Sequence, residues 1–201
     1  MKRGLTFLIL FFALTSCNPA TWSIAESSLI NSAHYSRMRV TTIDNSADSL
    51  LLRTPSAPLT HKDILAPEFG RLVASMIECV NAPQNAGVGI AAPQVGILRR
   101  VVVVQRLDKV GTPFEVYVNP RIIDYGQQWA LGSEGCLSVP NLRGEVSRSQ
   151  SISLTYNHAI TFAPVTEQIS GFTAVIFQHE LDHLDGIIYT DRAERVLPER
   201  E

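Results

Sequence analysis

Residues Gln178-His179-Glu180-Leu181-Asp182-His183 constrain this chain more than any other stretch. They contain H-E-x-x-H. On a helix, positions i and i+4 share a face, with Cβ atoms about 5–6 Å apart. His179 and His183 can then converge on one metal ion, at about 2.0–2.1 Å if the ion is zinc. Glu180 is rotated by about 100° around the same axis. Its carboxylate therefore falls beside the metal, where it can take a proton from water. The plainer alternative is a surface helix that carries two His and an acidic neighbour. The flanking residues weigh against it. A helix from about Gly171 to Leu184 places Phe172, Val175, Ile176, His179 and His183 on one face, and Ala174, Phe177, Leu181 and Leu184 towards another. A helix apolar on two sides is buried, and buried imidazoles need partners. Val175 and Ile176 would then build an apolar pocket beside the two His, and Gly186 would stop the helix.

The 201 residues suffice for one domain with a core. A formal net charge of -2 provides no basic field for nucleic acid. Cysteines at 17, 79 and 136 are too few and too scattered for a disulfide framework.

The N-terminus reads as a targeting segment. Lys2 and Arg3 precede an uncharged apolar run from Leu5 to Leu14. That run is short for a bilayer span, which needs about 20 residues, and fits the core of an export signal. Leu14-Thr15-Ser16-Cys17 resembles a bacterial lipobox, in which the Cys is acylated and becomes the first mature residue. The expected organisation is a signal peptide over 1–17, a tether over 18–47, a catalytic domain over 48–195 and a tail over 196–201. The tether is rich in Ser, Thr, Asn and Ala and shows no sustained period, so it is expected to stay mobile. Trp22, Ile24 and Leu29 within it are available to dock either on the domain or on a membrane surface. The expected location is outside the cytosol on a lipid anchor at Cys17, with a cytoplasmic protein as the alternative.

Within the domain, Leu50 to Leu59 contains Pro55 and Pro58 and reads as extended chain. Pro67 opens a helix in which Phe69, Leu72, Val73, Met76 and Val80 form a stripe. Cys79 beside that stripe is expected to be a small buried hydrophobe. Gly87-Val88-Gly89-Ile90-Ala91-Ala92-Pro93-Gln94 follows. Its G-x-G comes after a helix and lacks the third glycine of a dinucleotide loop. It reads instead as backbone lining a cleft, with the Gln94 amide placed there. Arg100–Gln105, Phe114–Asn119 and Ser151–Tyr156 read as strands, with Pro120 as a break and His158 as an exposed turn residue. Between strands lies Glu134-Gly135-Cys136-Leu137-Ser138. Cys136 is either a third metal ligand or a buried thiol. Two His and one Cys leave a position for water, the mark of a catalytic metal site. Short strands with a helix before and a helix after imply α+β.

Taken in order, G-V-G-I-A-A-P-Q at 87–94, E-G-C-L-S at 134–138 and Q-H-E-L-D-H at 178–183 closely resemble the motifs of peptide deformylases. The resemblance runs from about Leu52 to Asp191 and takes in L-R-T-P and R-G-E-V-S-R at 143–148. It implies an α+β domain with antiparallel sheets packed around a C-terminal metal-bearing helix, and removal of formate from N-formylmethionyl peptides. It further implies that Cys136, His179 and His183 bind the metal and that Glu180 is general base and then acid. Gln94 and the N–H of Leu137 would hold the oxyanion, and Gly89 would bond the substrate backbone. Val88, Phe172, Val175 and Ile176 would line a methionine pocket. The implied ion is Fe2+, with Zn2+ compatible with the same ligands, and the expected state is a monomer. One rival is a zincin-type peptidase, whose third ligand usually follows H-E-x-x-H. Asp185, Asp191 and Glu194 are available, but none stands in a ligand pattern. The other is a lipid-anchored binding protein on the same scaffold, against which every catalytic position of the pattern is intact.

Overall fold

A computed structural model of the chain describes residues 22–32 and 38–199. The lipobox and Cys17 lie outside the described residues. Helices α1 (Ile24–Ser32), α2 (Ser46–Leu52), α3 (His61–Leu65) and α4 (Pro67–Val80) come first. Strands β1 (Gly89–Ala91), β2 (Val101–Gln105), β3 (Phe114–Tyr125), β4 (Trp129–Cys136), β5 (Val139–Ser149), β6 (Ser151–His158) and β7 (Pro164–Ser170) follow. Helix α5 (Phe172–Leu184) and strand β8 (Arg195–Pro198) complete the order. One antiparallel sheet has the order β1-β2-β3-β6-β7 and the other β4-β5-β8. The α+β class holds, and α5 packs against both sheets.

The run Val101-Val102-Val103-Val104 shows why the layers stack as they do. Successive strand residues face opposite sides of a sheet. Val101 and Val103 join α4 residues Phe69, Leu72, Met76 and Val80 in one core cluster. Val102 and Val104 join α5 residues Ile176, Phe177, Leu181 and Leu184 in another. A strand covered on both faces has no polar alternation, hence four consecutive β-branched residues. Tyr117 from β3 meets Phe177 edge-on, with ring centroids 4.7 Å apart, and fixes α5 over the sheet.

Four expectations need correction. Residues 22–32 and 38–47 are not a free tether. Trp22, Ile30 and Met38 are buried in the first core cluster, and Glu26 makes a two-point ion pair with Arg99. The extension is held by scattered single buried residues and side-chain ion pairs, so no apolar stripe marks it in the sequence. Residues 50–52 close a helix rather than an extended run, because Asn45 caps α2 through the N–H groups of Ala47 and Asp48. Strand β3 continues through Pro120. The register slips between Val118 and Arg121, and such a bulge accommodates a residue with no N–H to donate. The tail from 196 pairs with β5 as part of β8.

Candidate active site

Helix α5 carries the H-E-x-x-H residues and is fixed at its middle and at its C-terminal end. Gln178 accepts from the Ser149 N–H at 3.0 Å and donates to the Ser149 carbonyl at 2.8 Å. That double clip ties the helix to the end of β5. At the C-terminal end Gly186 has φ 75°, and a Cβ there would lie 2.5 Å from the Arg53 carbonyl oxygen. Only glycine fits that turn.

The hairpin β4–β5 delivers the third side chain. Cys136 is the last residue of β4, and its Sγ lies 3.2 Å from His183 Nε2. Donor atoms of Cys136, His179 and His183 all lie within 4.8 Å of one another. Burial opposes a Cys136 thiolate, but the charges of His183 and His179 and hydrogen bonds to both hold the thiol well below its ordinary range. A thiolate and two imidazoles suit zinc or ferrous iron. These residues therefore fit a divalent metal.

The atoms behind the triad orient it. His179 Nδ1 pairs with Glu134 Oε2 at 2.8 Å, which turns its other ring nitrogen towards the site. Glu134 accepts from Arg148 at 2.8 and 3.1 Å. Arg148 also donates to Asp182 at 2.6 Å, and Arg192 donates to both Asp182 oxygens at 2.7 Å. Burial pushes the Glu134 carboxyl up, but the hydrogen bonds from His179 and Arg148 outweigh it and hold the group at about 2. A carboxylate behind a ligating imidazole fixes its tautomer and strengthens it as a donor.

Glu180 is 4 % exposed, and among the described residues its Oε2 has no hydrogen-bond partner. Burial pushes its carboxyl up to about 7, partly offset by the charges of His179 and His183. Gly89 in β1 backs directly onto it: a Cβ at 89 would lie 2.5 Å from Glu180 Oε1. Gln94 sits in a short 3-10 turn after β1. Its Oε1 accepts from the Ala91 N–H at 2.8 Å, so its amide nitrogen faces Ser138 Oγ at 3.3 Å and Cys136 Sγ at 3.5 Å. Leu137 occupies the turn between β4 and β5. Residues 41–43 tie these two segments together. Thr41 N–H donates to the Gln94 carbonyl at 2.8 Å, and Ile43 N–H to the Ser138 carbonyl at 3.0 Å.

A cavity of about 270 Å³ opens beside the Glu134–Arg148 pair, walled by Leu131, Val146, Phe172 and Val175. Phe172 and Val175 both face this cavity, whose lining does not include Cys136, His179 or His183. Ile176 and Val88 pack in the second core cluster instead of on this wall.

The family profile described as polypeptide deformylase matches residues 38–199. The chain belongs to that family. The peptide deformylase of Desulforudis audaxviator is 38% identical over 138 residues, covering 68% of this chain and 85% of that protein. The Roseiflexus peptide deformylase is 37% identical over 166 residues, covering 77% and 87%. Among solved structures, an actinonin-bound class I type b peptide deformylase from Acinetobacter baumannii aligns with TM-score 0.68 and 33% identity, over 78% of this chain and 98% of that one. The Thermotoga maritima peptide deformylase aligns with TM-score 0.67 and 32% identity, over 79% and 98%. The deformylase match begins at Met38, so α1 lies outside the part shared with the family.

Sequence reasoning gave no role to Glu134, Arg148, Asp182, Ser138 or the 41–43 segment. Glu134 and Arg148 meet only through the hairpin register, in which Glu134 stands opposite Gly144. Both lie in stretches that resemble deformylase motifs, Glu134 in E-G-C-L-S and Arg148 in R-G-E-V-S-R.

Proposed function

We propose that this deformylase hydrolyses the formyl group from N-formylmethionyl peptides, with Glu180 as the proton carrier and Cys136, His179 and His183 as ligands of one divalent ion. The observation that carries the reading is the convergence of those three donors beside a buried carboxyl whose pKa sits at about 7. Such a group both accepts and releases a proton near neutrality. A bound divalent ion supplies Lewis acidity, polarising the formyl carbonyl and acidifying the attacking water. Ferrous iron is implied by the family resemblance, and zinc suits the same donors.

This chain's own residues do the rest. Glu180 takes the proton of the attacking water as oxygen bonds to the formyl carbon. The formyl oxygen gains the displaced electron pair, and the Gln94 amide and Leu137 N–H donate to it. Gln94 needs no reorientation, since its carbonyl end is already held by Ala91. The C–N bond then breaks as the oxyanion re-forms the carbonyl, Glu180 passes its proton to the departing amine, and formic acid leaves and ionises to formate in water. Among the described residues, strand β1 pairs only with β2 and leaves its other edge unpaired. Gly89 there can bond a substrate main chain, and the Phe172–Val175 wall receives an apolar first side chain. One A. baumannii peptide deformylase structure holds Met-Ala-Ser, a product of the expected class.

The test is Glu180→Gln, which keeps the shape and removes the base. Metal content by elemental analysis should stay stoichiometric, while turnover of formyl-Met-Ala-Ser falls by roughly 10²–10⁴. Undiminished turnover would overturn the assignment.

The reading extends to location. Lys2, Arg3, the apolar run and Leu14-Thr15-Ser16-Cys17 support export and acylation at Cys17. The enzyme would then act on formylated peptides outside the cytosol. Fractionation that finds it only in the cytosol would sink this part alone.

A further inference from the structure

The inference rests on the reading of Cys17 as the acylated residue, and concerns which face of the domain meets the lipid. Trp22 is the first described residue, and it is buried. Its indole N–H donates to the Asp63 carbonyl of α3 at 3.2 Å, and the Arg99 guanidinium lies 5.3 Å from its ring centroid. Cys17 precedes it by five residues, and extended chain spans at most about 3.6 Å per residue. An acyl chain on Cys17 therefore brings the surface around Trp22 and α3 within roughly 18 Å of the lipid.

That surface is apolar where nothing in the site requires it. Ile24 is 91% exposed, Leu65 at the end of α3 is 68% exposed, and Ile160 is 78% exposed. The turn that carries Ile160 is held against α3 by His61, which stacks on Phe162 with centroids 5.5 Å apart. Lys62 is exposed on the same short helix. Three largely exposed aliphatic side chains with a cation beside them suit an interfacial seat.

The fold also sets where the cavity goes. Strands β6 and β7 form a hairpin whose turn, residues 159–163, sits beside α3. The opposite ends of the hairpin lead into Gln150 and Phe172, both on the cavity wall. Strand residues rise about 3.4 Å each, so the length of β6 separates the two ends by roughly 24 Å. We propose that Ile24, Leu65 and Ile160 form a seat that rests on the bilayer surface when Cys17 is acylated, holding the peptide cavity at the far end of the molecule and open to water.

The test uses the full-length protein exported and acylated in a bacterial host, purified and placed in phosphatidylethanolamine–phosphatidylglycerol vesicles with and without brominated acyl chains. Leu65→Trp and Ile160→Trp report the seat, and Ile123→Trp, at a residue 59% exposed near the opposite end of β3, where Tyr125 pairs with Ile152, reports a surface elsewhere. None of the three touches the site. Brominated lipid should quench the first two at least twofold more than the third. A Leu65→Glu/Ile160→Glu pair added to an Ile24→Trp reporter should abolish the excess quenching and leave formyl-Met-Ala-Ser turnover unchanged. Equal quenching at 65, 160 and 123 in protein whose mass shows the acyl group overturns the seat and spares the anchor. A mass without the acyl group overturns both.

Discussion

At the scale of single residues, Glu134 bears on the site without belonging to the metal triad. It is buried between the His179 imidazole and the Arg148 guanidinium. Glu134→Gln removes its charge and leaves Arg148 half-paired, so metal affinity should fall about 10–100-fold. Stability should drop by about 3–5 kcal/mol, the usual result of breaking a buried pair from one side. Chelator competition and thermal unfolding measure the two effects, and loss of stability without loss of affinity would detach Glu134 from the ligand. Gly89→Ala is sharper still. Its methyl group would press on Glu180, so kcat should fall at least tenfold with metal content unchanged, read from turnover and elemental analysis on the same sample.

At the scale of elements, α1 is held by Glu26 and Arg99. Burial pushes Glu26 up, but the hydrogen bonds from Arg99 and Ser23 outweigh it and bring its pKa from the usual 4.5 to about 2. A depressed carboxyl stabilises the docked helix fully above about pH 4.5 and loses that contribution as pH falls through 2. Trp22 emission, followed in a Trp129→Phe background, should therefore shift towards that of exposed indole across this acid window. In Glu26→Gln the pH dependence should vanish. Elements differ in how well the sequence foretells them for the same reason that they differ in what holds them. Helices α4 and α5 bury periodic apolar faces, so their bounds and the His179–His183 spacing are legible at once. Hairpin β4–β5 is not, since most of β4 is exposed and its meaning lies in pairing Glu134 with Arg148 across a turn. Helix α1 buries a single residue along its length, Ile30, and no window of sequence can anticipate an anchor made from Trp22, α3 and Arg99. From spacing alone the triad was legible only in part: His179 and His183 are set by helix geometry, whereas Cys136 arrives by topology and was named by the family resemblance.

At the scale of the whole molecule, the extension before Met38 and the family domain after it share one core. A chain begun at Met38 keeps every residue of the triad but loses Ile30 and Trp22 from that core. It should still bind metal and turn over formyl-Met-Ala-Ser, with a Tm lower by about 5–15 °C, as expected when a few kcal/mol leave a domain of this size. Scanning calorimetry on the two lengths decides it; equal Tm values would make α1 an ornament. The open edge of β1 has a consequence of another kind. A strand edge recognises amide groups, which every peptide offers alike. On the proposed reading of Gly89, discrimination falls chiefly on the first side chain, which meets the Phe172–Val175 wall, and main-chain pairing adds little preference at later positions. An enzyme built so is a generalist, whose diet is set by which formylated ends reach its compartment.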